Sequence, residues 1–127
     1  MCLAKITKVL KRGDVKSGFG YKAVLVDKGS EGGEGDEVFT DDKRFPLNPI
    51  GEWNRAVPSR VTTDAPCRAY KTGFHIWATK PAAEQWTSRR VAKVEYRKAR
   101  IIGCQHSGSG KLKMVIVADE MRVVKVY

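Results

Sequence analysis

The stretch from Gly73 to Arg97, GFHIWATKPAAEQWTSRRVAKVEYR, decides the fold. Gly73-Phe74-His75-Ile76-Trp77-Ala78 reads as a strand, because aromatic and β-branched side chains suit a pleated, half-buried surface. Thr79 stands where a helix N-cap belongs, and Pro81 is tolerated in a first turn, where its missing N–H is not needed. The spacing then predicts a short helix over Thr79–Ser88 with Ala82, Ala83 and Trp86 on one face. Arg89 and Arg90 follow at its C-terminal end, where the helix dipole favours cations. From Val91 the period changes to two: Ala92, Val94 and Tyr96 face one side, Lys93, Glu95 and Arg97 the other. Ala99 and Ile101 break that register, so a bulge or bend is expected near Lys98.

Working outward, Gln105–Lys111 (QHSGSGK) reads as a turn. Lys113–Asp119 and Met121–Tyr127 complete three expected strands between Val91 and Tyr127. Near the N-terminus Leu3–Leu10 alternates, and Ala4, Ile6, Lys8 and Leu10 form its more apolar side. Tyr21–Val26 is a second β-rich run, expected to form a hairpin with the first across Arg12–Gly20. The sum is an α+β fold, a mainly antiparallel β-sheet with one short helix packed on it, in a single domain 1–127.

Two segments resist this pattern. Residues 28–37 hold four glycines and four carboxylates, supply almost nothing to bury, and are expected to form a mobile acidic loop. Residues 45–59, with Pro46, Pro49, Gly51 and Pro58, read as irregular, and Trp53 is expected to pin them to the core.

Bulk composition narrows the class. The chain has 127 residues, 42% of them apolar, enough for one modest core. No run approaches the roughly 20 apolar residues of a membrane helix, and lysines interrupt the first residues where a signal peptide would be apolar. Cys2, Cys67 and Cys104 are sparse and unpaired in spacing, which suits small buried thiols in a reducing compartment, so the cytoplasm is expected. The net charge of +10 attracts phosphate backbones, nucleotides, anionic lipid or acidic protein surfaces without choosing among them.

Candidate chemistry is thin. HSGSGK lacks a P-loop's first glycine and its final hydroxyl residue, because Gln105 and Leu112 stand there. Cys104–His106 and Cys67–His75 have no recognised metal-ligand spacing, and neither thiol sits in a strained nucleophile turn. His75, inside an apolar strand, reads as a hydrogen-bonded structural residue, although His75, Trp77 and Glu120 together are a candidate pocket. No cofactor is expected.

Positive charge concentrates late in the chain. Arg89, Arg90, Lys93, Arg97, Lys98, Arg100, Lys111 and Lys113 are the candidate anion-binding residues, and Lys93, Arg97, Lys111 and Lys113 are expected close together on the exposed side of the C-terminal sheet. Base reading by a sheet also requires exposed rings. Tyr96 falls on the inward side and Trp86 faces the core, and no RRM, KH, OB or zinc-finger signature is visible. These residues point to a binding protein rather than an enzyme, with nucleic acid, a nucleotide signal or an acidic protein as partner.

The runs GFHIWATKPAAEQW, VAKVEYRKARIIGCQ and VIVADEMRVV resemble a set of small uncharacterised phage and bacterial proteins, in which a Gly-Phe-His strand leads into a short helix and further strands. That resemblance covers less than half the chain and implies a phage or mobile-element setting, in which such a protein would interfere with host defence or host machinery in the host cytoplasm. GFHIWATKPAAEQW also looks like the middle motif of ADP-ribosyltransferases. That likeness implies NAD binding and a late catalytic glutamate near Glu120, with Tyr21-Lys22 where those enzymes carry an early His or Arg, which this chain lacks.

Overall fold

The computed structural model describes residues 3–27, 37–40, 47–57, 60–63, 69–84, 90–107 and 110–127. Its centre is one long antiparallel hairpin of β8 (Arg90–His106) and β9 (Leu112–Val126). The turn between them closes by two backbone bonds, Ser107 N–H to the Lys111 carbonyl and Gly110 N–H to the Ser107 carbonyl, both 2.8 Å. Gly110 supplies the positive φ of 81° that this turn needs. Val91–Tyr127 therefore holds two long strands where three were expected. Asp119 and Glu120 sit inside β9 because β8 pairs with it along its length and leaves no break.

Each half of this hairpin acquires its own neighbours. On the outer edge of β8, β1 (Lys5–Val9) pairs with Ile101–Cys104, and β2 (Gly18–Asp27) pairs with Arg90–Tyr96. On the outer edge of β9, β7 (Phe74–Trp77) pairs with Val115–Ala118, and β4 (Trp53–Arg55) with Glu120–Arg122. The expected β1–β2 hairpin is thus replaced by two strands lying end to end along β8. A 17-residue strand offers more edge than either short strand covers, so both find their partners there. A register shift falls between Ile6 and Lys8, and Leu3, which precedes β1, is fully enclosed although alternation alone puts it on the less apolar side.

The sheet curls until β2 meets β7 through one pair, Tyr21 with Trp77, which closes a ring β2–β8–β9–β7. A Cβ on Gly20 would lie 2.8 Å from the Trp77 carbonyl oxygen, so only glycine lets the two backbones approach. Lys22 Nζ adds a second tie by donating to the His75 carbonyl at 2.9 Å. The bend that permits closure is the one expected near Lys98, which has φ 58°, with a register shift between Ala99 and Ile101. The remaining strands are β3 (Glu37–Thr40), which extends β2, and a separate pair, β5 (Arg60–Thr62) with β6 (Ala69–Lys71). The sheet is antiparallel, and among the described residues there is a single short helix.

Alternation sorts the apolar residues into two clusters. Val24, Ile76, Ala92, Val94, Ile116, Met121 and Val123 fill the interior of the ring. Leu3, Tyr70, Trp77, Val91, Ile101, Val115 and Val117 lie on the opposite side of the sheet, where Ala82 and Ala83 of α1 (Lys80–Ala83) cover them. The described helix is one turn, and residues 85–88 of the expected Thr79–Ser88 helix, Trp86 among them, lie outside the described residues. Ala82 and Ala83 bury that turn against the sheet. Thr79 occupies the N-cap position without a side-chain capping bond. Arg90 belongs to β8, not to a helix end, and grips the Tyr127 carbonyl through Nε and Nη2 at 2.9 and 2.8 Å.

Of the irregular segment 45–59, Trp53–Arg55 is a strand, because β9 has a free edge beyond the end of β7. Asn48 and Asn54 lock it in place: Asn54 Oδ1 accepts from Asn48 N–H at 2.7 Å, and Asn54 Nδ2 donates to the Met121 carbonyl at 3.1 Å. The expected acidic loop lies outside the described residues except for Glu37, which begins β3. Among the described residues no helix is long and apolar enough to cross a membrane.

Candidate nucleic-acid interface

Residues directly opposite one another in a ladder share a face, so the register places the outer side chains without further assumption. Three rows result on β2, β8, β9 and β4. The first is Tyr21–Lys93–Lys125, the second Phe19–Glu95–Arg122–Trp53, and the third Arg97–Glu120–Arg55. Rows along a strand are about 7 Å apart, and neighbours within a row about 5 Å.

Rings and cations interleave on this face. Phe19 is 58% exposed, and the Lys93 ammonium stands 5.1 Å from its ring centre. Trp53, expected in the core, lies on the face instead, because the inward position of β4 belongs to Asn54. The guanidinium groups of Arg97 and Arg122 approach its ring at 3.9 and 4.9 Å. Beside the first row, Tyr127 receives Lys80 at 4.0 Å and Lys125 at 5.0 Å.

Carboxylates on the face are already engaged. Glu95 Oε1 accepts from Arg122 Nε at 2.6 Å. Glu120, only 5% exposed, takes Arg97 Nε at 2.7 Å on Oε1 and Lys98 Nζ at 2.6 Å on Oε2. These hydrogen bonds from Lys98 and Arg97 hold the Glu120 carboxyl below its ordinary value. Lys93 and Lys125 face no carboxylate among the described residues, so the open end of the hairpin keeps its positive charge.

The expected anion-binding residues divide. Lys93 and Arg97 stand on the face, and Lys98 beside it at the bend. Arg100 is a structural clamp, bound to Asp119 and to the Lys71 and Thr72 carbonyls at 2.7–2.9 Å. Lys111 and Lys113 are not ladder neighbours of Lys93: Lys113 pairs opposite Gln105 while Lys93 pairs opposite Lys125, at the other end of β8. Arg89 lies outside the described residues.

The candidate pocket residues also separate. His75 joins a chain of bonds in which Leu3 N–H donates to the Tyr70 hydroxyl at 2.9 Å, while that hydroxyl meets His75 Nε2 at 3.0 Å. His75 Nδ1 lies 3.2 Å from the Gly73 carbonyl oxygen. Trp77 is buried under α1, and Glu120 lies at the bend of the hairpin. Cys104 is a free thiol 3.5 Å from the Thr7 hydroxyl, and Cys2 and Cys67 lie outside the described residues. Among the described residues no three His, Cys, Asp or Glu side chains converge as metal ligands.

Phe19, Tyr21 and Tyr127 escape the sequence reasoning, whereas the Trp53 loop is read there as pinned to the core and as a second contact surface. A signal exists for two of them. Gly18-Phe19-Gly20-Tyr21 sets two rings at strand spacing between glycines, the pattern by which sheets offer rings to bases. No family model, curated protein or solved structure matches the chain.

Proposed function

We propose that this protein is a non-enzymatic binding module that lays a single-stranded nucleic acid across the outer face of β2, β8, β9 and β4. The observation carrying this reading is the exposed Phe19 ring flanked by the uncompensated Lys93–Lys125 pair in the adjacent row. A base stacked on such a ring gains about 1–3 kcal/mol whatever its identity. Lysines beside it contact phosphates and release counterions, which ties affinity to salt. The guanidinium planes of Arg97 and Arg122 on Trp53 extend the flat surface, since bases also stack on arginine. Bare charge would suit any anion; rings set among the charges favour a ligand that carries both phosphates and bases.

The setting we propose is the cytoplasm, and for a phage-encoded chain the host's, where sequestering single strands would interfere with defence or replication. The transferase-like resemblance calls for a glutamate free to face a ribosyl cation. Here both Glu120 oxygens are held by cations, which supports binding over that chemistry.

Fluorescence anisotropy with labelled decathymidylate and decauridylate, against a duplex of equal length and polyglutamate, tests the proposal. Tighter binding of the single strands, weakened at least about tenfold by Phe19→Ala, is expected. Equal binding of polyglutamate, unaffected by Phe19→Ala, would reduce the face to a general polyanion surface.

A further inference from the structure

The third row of the face ends in a cleft of about 260 Å³ lined by Arg55, Ala56, Lys71, Lys98, Asp119 and Glu120. The sheet bends there, and the bend is what assembles it. In a regular strand consecutive side chains point to opposite faces. Arg97 and Lys98 nevertheless both reach the Glu120 carboxylate, because Lys98 adopts the left-handed backbone conformation with φ 58°. A lysine pays a steric cost for that geometry, and strain of this kind concentrates at ligand sites.

Charge in the cleft is unbalanced in a specific way. Arg97, Lys98 and Arg100 are bound to its two carboxylates, Asp119 and Glu120. Arg55 on β4 and Lys71 on β6 line the same cleft, both exposed and without a carboxylate ion pair among the described residues. Two like charges bordering one concavity repel each other, and an anion between them relieves that repulsion. A guanidinium fork and an ammonium at one concavity suit a tetrahedral oxyanion.

We propose that this cleft binds a phosphate monoester. Its volume accommodates a phosphoryl group and the sugar attached to it, while bases would have to lie outside on the rings of the face. Arg55 and Lys71 hold the phosphoryl oxygens, and Lys98 adds a donor while remaining bonded to Glu120. The same chemistry arises from a free mononucleotide or from the phosphorylated end of a strand. The site stands on its own residues and does not require the face to bind nucleic acid.

Titration calorimetry with AMP, and with adenosine as control, is the test. Saturable binding of AMP but not of adenosine is expected, weakened about tenfold or more in Arg55→Ala/Lys71→Ala. Both side chains are exposed, and a thermal melt of the double variant should match the parent protein. Lys98→Gly, which keeps the left-handed backbone and removes the ammonium, should also weaken AMP. A second arm compares decathymidylate with and without terminal phosphates. A preference for the phosphorylated strand, lost in the double variant, identifies a strand end as the source, whereas AMP binding without that preference identifies a free nucleotide. If neither AMP nor the terminal phosphate is sensed, or if the double variant binds both unchanged, the site is overturned, even where the unphosphorylated strand binds the face.

Discussion

The two ends of the β8–β9 hairpin carry comparable positive charge in different surroundings. At the turn end Lys111 and Lys113 flank exposed Leu112 and Met114, and no ring contact involves them among the described residues. At the open end Lys93 and Lys125 sit beside Phe19, Tyr21 and Tyr127, brought there by β2 and by the end of β9. The contrast shows that adjoining strands decide what stands between the cations at each end. The neighbouring β1 supplies no ring to the turn end, since every residue of β1 except Ile6 is exposed and none is aromatic.

The sharpest way to separate interior from face is Met121→Ala. Met121 is fully buried in the ring, and its truncation should cost about 2–5 kcal/mol in chemical denaturation. Oligonucleotide affinity of the folded variant should stay within about twofold, because no interior side chain touches the ligand. Phe19→Ala should do the reverse, weakening binding by about 1–3 kcal/mol while stability falls by under about 1 kcal/mol. If Phe19→Ala left affinity unchanged, the two ends of the hairpin would be equivalent.

A smaller effect distinguishes the ends by charge alone. Lys93→Gln/Lys125→Gln should flatten the dependence of log affinity on log salt by about 0.7 for each phosphate that is no longer neutralised. Lys111→Gln/Lys113→Gln should leave that slope nearly intact. Equal slopes in the two double variants would return the binding to diffuse charge.

The smallest expected effect concerns acid. Lys98 and Arg97 stabilise ionised Glu120, so its folded pKa lies below its unfolded one. The resulting stability is present in full above the unfolded value near 4.5 and is lost as pH falls through the lowered folded value. Unfolding midpoints should therefore be flat from about pH 7 to 5 and fall below that. Asp14, held low by the Lys11 backbone N–H, contributes in the same direction. Glu120→Gln should reduce the acid-side slope without changing its sign, and an unchanged slope would mean that Glu120 contributes none of it.

Legibility follows the range of each interaction. The strand at Phe74–Trp77, the inward set Ala92, Val94 and Tyr96, the glycine turn and the bend near Lys98 are all readable, because each depends on residue type and local period. The helix start, with Thr79 at the N-cap and Pro81 in the first turn, is readable in the same way. Hydrophobicity alone puts Trp53 in the core. Its position on the face follows from Asn54, whose amide reaches the Met121 carbonyl and turns the ring outward by the strand's period of two.

Composition and periodicity settle that this chain builds a mainly antiparallel sheet with one short helix and carries excess positive charge, since alternation and net charge are properties of neighbouring residues or of the whole chain. The partners of each strand are decided by the fold: β1 and β2 both on β8, β4 on β9, and ring closure at Tyr21–Trp77. Such pairings depend on which backbone edges are left open after the longest hairpin has formed, and on the close approach permitted at Gly20. Phe19 therefore becomes a neighbour of Lys93 across more than 70 residues of chain, a proximity that no local pattern encodes.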